Sequence, residues 1–116
     1  MALLTAQTFD EAGKDLILSA AIVGGDEFVN TGKEILVILN GDTASTTITI
    51  TAQATSFEDK EYGNAVKEDQ ALVVAANNGV GIMGPFSRRA FNDSNQKVQI
   101  TYSSVTSLEV AVIKEI

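Results

Sequence analysis

Ser45-Thr46-Thr47-Ile48-Thr49-Ile50-Thr51-Ala52-Gln53-Ala54 decides the fold class. Polar Thr47, Thr49, Thr51 and Gln53 alternate with apolar Ile48, Ile50, Ala52 and Ala54. That is the period-two pattern of a β-strand with one face buried and the other wet. Just before it, Ile35-Leu36-Val37-Ile38-Leu39 is an unbroken apolar run rich in β-branched residues, and Asn40-Gly41-Asp42 supplies residues that tolerate a reversal. The two segments read as a hairpin. The unbroken run predicts a strand covered on both faces, either by lying centrally in a sandwich or by contact with a neighbouring subunit.

Working outward, each apolar segment ends in turn residues. Asp15 to Val23 stops at Gly24-Gly25-Asp26, and Glu27-Phe28-Val29 stops at Asn30-Thr31-Gly32. Over Asp10 to Ala21 a helix is the alternative reading, since Ala12, Leu16 and Ala20 share a helical face, but the flanking glycines and the β character of the rest weigh against it. Thr55 to Asn64 is polar and acidic around Phe57 and Tyr62 and reads as a longer, mobile connection with anchoring aromatics. Ala71 to Ala76 is a strand stopped by Asn77-Asn78-Gly79, and Val80 to Phe86 a strand bent by Gly81, Gly84 and Pro85, the proline favouring an edge. Lys97 to Tyr102 and Leu108 to Ile113 read as a closing hairpin. About seven or eight short antiparallel strands at this spacing predict one all-β domain, a β-sandwich or jelly-roll-like fold.

A chain of 116 residues suits one domain, and 45% hydrophobic with 20% charged residues is the balance of a folded protein. The absence of cysteine excludes disulfides, thiolate metal sites and thiol nucleophiles. The absence of histidine removes the commonest general base and the commonest transition-metal ligand. No catalytic, cofactor-binding or metal-binding residue is therefore nominated, and the expectation is a non-enzyme without cofactors. A formal charge of −7 disfavours direct binding to nucleic acid or anionic membrane. The N-terminus lacks the features of a signal peptide, which predicts a chain that remains in the cytoplasm where it is made until it assembles.

The remaining motifs are weaker. Glu58-Asp59-Lys60-Glu61 lacks the alternating spacing of a calcium loop and reads as a solvated loop. Gly79-Val80-Gly81-Ile82-Met83-Gly84 has no lysine at the phosphate-loop offset and reads as a bent strand. Arg88-Arg89, the only basic doublet, follows Phe86 and reads either as an exposed turn or as half of an inter-subunit ion pair with acidic loops such as Glu58 to Glu61.

Met83-Gly84-Pro85-Phe86, Phe91-Asn92-Asp93, Val98 to Thr106 and Leu108 to Ile113 form the most distinctive string, together with Phe28 to Leu36 and Asn40-Gly41 ahead of the threonine-rich strand. Over residues 28 to 113 this pattern resembles the small capsid decoration or cement proteins of tailed phages. The resemblance implies a β-sandwich on the outer capsid surface of the virion, assembled in the host cytoplasm, often trimeric, whose partner is the major capsid protein. The family has no catalytic residues to carry over. Residues 1–12 fall outside the match and are expected to form an arm that orders on a neighbouring subunit, with residues 13–116 as the sandwich. Expected interface residues are Leu3 and Leu4 in the arm, Phe57 and Tyr62 in the acidic loop, and Arg88 and Arg89. A tail, fibre or head-to-tail component and a carbohydrate-binding sandwich are the alternatives.

Overall fold

The computed structural model describes residues 2–53, 57–59, 63–65 and 68–115, with 57–59 and 63–65 described as backbone. In chain order the first six strands are β1 (Ala2–Leu4), β2 (Ala6–Phe9), β3 (Ser19–Ala20), β4 (Asp26–Val29), β5 (Ile35–Asn40) and β6 (Thr46–Ile50). Then come β7 (Phe57–Asp59), β8 (Gly63–Ala65), β9 (Gln70–Val74), β10 (Gly79–Met83), the single-turn helix α1 (Arg88–Phe91), β11 (Lys97–Tyr102) and β12 (Leu108–Glu115). Sheet one has the order β1-β4-β11-β6-β9, and sheet two has the order β10-β5-β12-β2, with β3 also on β12. The sheets pack face to face as a sandwich. β7 and β8 form a separate antiparallel pair where the sequence predicts an irregular loop.

The inner faces follow the predicted period. Thr46, Ile48 and Ile50 of β6 are buried while Thr47 and Thr49 point outward. Val98 and Ile100 of β11 and Leu108, Val110 and Val112 of β12 complete the opposed layers with Leu36 and Ile38 of β5. At one end Phe28, Phe86 and Phe91 pack in a chain, tilted and edge-to-face, with ring centroids 5.8 Å apart in both contacts. The distinctive Gly-Pro-Phe and Phe-Asn segments thus serve the core: Phe86 and Phe91 fill it, and the Asn92 amide donates to the Asn30 carbonyl at 3.0 Å.

The connections differ from those expected. β5 and β6 are not a hairpin: β5 lies in sheet two and β6 in sheet one, and β11 and β12 are divided in the same way. Period-two burial is satisfied equally by a hairpin within one sheet and by two strands facing each other across a core, so the pattern does not choose between them. The choice is made by Asn40, whose buried side-chain amide donates to the Ala44, Val74 and Ala75 carbonyls while its Oδ1 accepts from the Asp42 N–H. It ties β5 to the end of β9 in the other sheet.

The two ends of the path also carry parallel pairs, β1 with β4 and β2 with β12. Residues 2–9, expected as part of an arm, therefore run as edge strands of both sheets and cross between them at Thr5. Leu4 is only 9% exposed and Ala6 packs on the core, so this segment is held by apolar burial as well as by its ladders. Asp15 to Val23 is neither a helix nor a long strand and contributes only Ser19–Ala20. The reason lies in Gln7, whose side chain donates to the Ile17 carbonyl at 2.7 Å and accepts from the Ile17 N–H at 3.0 Å, taking the place of a ladder partner. At the end of this segment Gly25 has φ +105°, and a Cβ there would collide with the Ile100 carbonyl oxygen.

Candidate interaction surface

The outward positions of the two sheets are chemically unlike. On sheet one they mix polar and apolar: Glu27 opposes Gln99, Thr49 opposes Thr101 and Lys97 Nζ lies 3.5 Å from Glu27 Oε2, with Leu3, Val29 and Val73 exposed among them. On sheet two they form an apolar lattice. Val80 stands beside Leu39 and Ile82 beside Val37, and Ile113 stands beside Ile35, while on β12 the first row ends at exposed Glu109 and the second at buried Ala111. Val80 and Ile82 are each 65% exposed. The exposed apolar surface is carried by β10 and β5, about 5 Å apart, and is bounded on β12 by Glu109. A contiguous apolar sheet face of this kind, on a chain with a well-filled core of its own, is suited to contact with another protein.

The patch continues around the β10 edge. Here a groove of about 450 Å³ opens between β10 and β9, lined by Leu72, Met83, Pro85, Phe86 and Phe91 among others. Pro85 follows the end of β10, an edge strand, as its presence predicts. Gly81 faces inward, where a Cβ would come within 2.8 Å of Val74 Cγ2 and 2.9 Å of Leu72 Cδ2. Glycine at this position lets the two sheets close at their edge and leaves the alternate residues, Val80 and Ile82, on the outside.

The expected interface residues are dispersed by the fold. Leu3 is 54% exposed beside Glu27, on the outer side of sheet one, whereas Leu4 is turned into the core. Arg88 and Arg89 are exposed in the first positions of α1, whose N-terminus is capped by Ser87 Oγ accepting from the Ala90 N–H. The Phe57 side chain, Tyr62 and the proposed contacts of Glu58 to Glu61 lie outside the described residues. The unbroken run Ile35 to Leu39 predicts cover on both faces; the extension of that face onto Val80 and Ile82 was not expected, although its signal lies in the glycines that alternate with them.

Several buried polar groups near the core are structural. Tyr102 Oη donates to Asp26 Oδ2 at 2.6 Å, and burial together with that carboxylate pushes the phenol far above its ordinary range. Burial alone would raise the Glu34 carboxyl, but the Thr31 hydroxyl and the N–H groups of Thr31 and Lys33 outweigh it and hold it below its ordinary value of 4.5. Asp93 is likewise lowered from 3.8: burial opposes the shift, and the N–H groups of Lys97 and Asn95, the Gln99 amide and the Lys97 charge overcome it. For both, the unfolded state binds more protons once pH falls below about 4.5, so stability present above that value is lost as pH drops toward the folded-state values. Urea midpoints should therefore decline from pH 5 to pH 3, and less steeply in Glu34→Gln and Asp93→Asn.

Among the described residues no group of three or more histidine, cysteine, aspartate or glutamate side chains could hold a metal ion, and no helix is long and apolar enough to cross a membrane. Fold and surface define an all-β sandwich with apolar side chains exposed on both outer faces, Leu3, Val29 and Val73 on sheet one and Val80 and Ile82 on sheet two. Comparison with protein-family profiles, curated proteins and solved structures gives no match for the chain.

Proposed function

We propose that this chain is a capsid decoration (cement) protein of a tailed phage, acting outside the shell by holding major capsid subunits together, with a homotrimer as its assembled form. The observation that carries the protein-binding part of this reading is the apolar outer face of sheet two around Val37, Leu39, Val80 and Ile82. Burying such a face against a partner removes apolar area from water, the main favourable term in association. The capsid as destination is supported by the resemblance of residues 28 to 113 to cement proteins. A charge of −7 suits a position outside the shell, away from packaged DNA, and the absence of cysteine suits assembly in a reducing cytoplasm.

The test is co-sedimentation of purified protein with expanded capsids lacking it, alongside mass photometry of the free chain. Val37→Lys with Leu39→Lys should reduce capsid binding at least about tenfold, because two desolvated cations replace apolar contact at the centre of the patch. Thr49→Lys, on the outer face of sheet one, should leave binding unchanged. Failure of the native chain to sediment with capsids would overturn the reading, and glycan-array binding through an exposed aromatic would replace it with carbohydrate recognition.

A further inference from the structure

Asn40-Gly41 and Asn78-Gly79 are the two asparagine-glycine pairs in the sequence. In such a pair the glycine nitrogen can attack the asparagine Cγ, since no Cβ on the second residue stands in the way. The fold sets the two pairs against each other: the Asn78 N–H donates to the Asn40 carbonyl at 2.8 Å. Their surroundings nevertheless differ. Asn40 is fully buried, its side-chain amide donates to the Ala44, Val74 and Ala75 carbonyls, and its Oδ1 accepts from the Asp42 N–H. The attacking nitrogen is held as well, because the Gly41 N–H donates to the Ser107 carbonyl at 2.9 Å. Cyclisation at Asn40 has to give up these bonds inside the core.

Asn78 is exposed, and its side chain has no hydrogen-bond partner among the described residues. It sits in the turn that leads into β10, an edge strand, so local opening frees it without disturbing the core. The turn itself demands this pair of residues. Asn77 and Asn78 have φ of 61° and 71°, a left-handed conformation that asparagine tolerates better than most residues. A Cβ on residue 79 would collide with the Ala75 carbonyl oxygen, so glycine has to follow. The labile pair is therefore built in by the geometry of the turn, without the shield that Asn40 has.

We propose that Asn78 is a site of spontaneous deamidation in the folded protein and that Asn40 is protected from it. The Gly79 nitrogen bonds to Asn78 Cγ, the Cγ–Nδ2 bond breaks, and ammonia leaves with the proton from the Gly79 nitrogen. Water then opens the cyclic imide. Cleavage between the nitrogen and Cγ gives aspartate, whereas cleavage between the nitrogen and the Asn78 carbonyl carbon leaves the backbone running through the side chain as isoaspartate. Either product adds a negative charge to a chain already at −7, two residues ahead of exposed Val80. Isoaspartate also lengthens the backbone by one methylene where β10 begins.

The test is incubation of the full chain in mildly alkaline buffer, folded and in urea, followed by tryptic mapping with fragmentation that separates aspartate from isoaspartate. Asn40 and Asn78 fall in different tryptic peptides. In urea the two sites should convert at similar rates. In the folded chain Asn78 should convert at least about tenfold faster than Asn40, whose reaction waits on opening of the core. Asn78→Gly, which keeps the left-handed turn, should suppress the acidic form that native isoelectric focusing of the aged parent shows. Equal conversion of the two sites in the folded chain, or an acidic form undiminished in Asn78→Gly, would overturn the proposal. The same preference persisting in urea would overturn it too, since sequence rather than fold would then choose the site. None of these outcomes depends on capsids, so this proposal and the cement reading can fail separately.

Discussion

Phe28→Ala should lower the free energy of unfolding by about 3–5 kcal/mol, read as a drop in the urea midpoint with little change in slope. Phe28 is fully buried and sits on β4 between Leu4 of β1 and Val98 of β11, with its ring against Phe86. Removing the ring leaves a cavity that these three neighbours cannot fill, because β1, β4 and β11 are fixed by their ladders and Phe86 is also held by Phe91. A domain of this size has about 5–15 kcal/mol in total, so the variant should be near the limit of folding at 37 °C. Val80→Ala removes apolar atoms too, but from a position 65% exposed, and should stay within about 0.5 kcal/mol of the parent. Comparable losses in the two variants would mean that the sheet-two face is covered in the free protein.

The strands that the sequence made legible are those with one consistent phase. Thr46–Ile50 and Lys97–Tyr102 show where their buried faces lie because threonine and glutamine occupy the opposite phase. The expected all-β sandwich rested on such segments and holds. The connectivity was not legible. Nothing local in Asn40-Gly41-Asp42 distinguishes a turn within one sheet from a crossing between sheets, since the hydrogen bonds that decide it run to Val74 and Ala75, more than thirty residues away. Gln7 and Ile17 show the same limit: a side chain replaces a strand partner, which an apolar pattern does not register.

The run Ile35 to Leu39 predicts a strand covered on both faces, but which side is left for a neighbour is not legible in it. In Ile35-Leu36-Val37-Ile38-Leu39-Asn40 both phases are apolar, and the one polar residue falls in the inward phase. The single polar residue would assign the wet face to Leu36, Ile38 and Asn40, yet these are the fully buried residues and Ile35, Val37 and Leu39 are partly buried. Arg88-Arg89 was a visible doublet, while the apolar face arises only when β5 and β10, distant in sequence, lie side by side.

Asn40→Asp should be among the most damaging single changes in the chain, although it alters almost no volume. The native amide is fully buried and gives its hydrogens to the Ala44, Val74 and Ala75 carbonyls at 2.9, 3.2 and 3.3 Å. A carboxylate at the same position has no hydrogen to give and faces three carbonyl oxygens with a negative charge of its own. Leaving buried carbonyls unpaired costs about 1–3 kcal/mol each, and an uncompensated buried charge adds to that. The Asp42 N–H, which donates to Asn40 Oδ1, would still find an acceptor, but it is the smaller part of the network. Burial among acceptors raises an aspartate's pKa above its unfolded value, so the folded variant binds more protons than the unfolded one, and stability should rise as pH is lowered from about 7 toward 4. That is opposite in sign to the acid loss expected at Glu34 and Asp93 of the parent chain. Asn40→Ala, which is unpaired but uncharged, should be destabilised without this pH-dependent recovery. If chemical denaturation at pH 7 and pH 4.5 showed the aspartate variant recovering no more than the alanine variant, the tie between β5 and β9 through the Asn40 amide would not be what holds the two sheets in register at this corner.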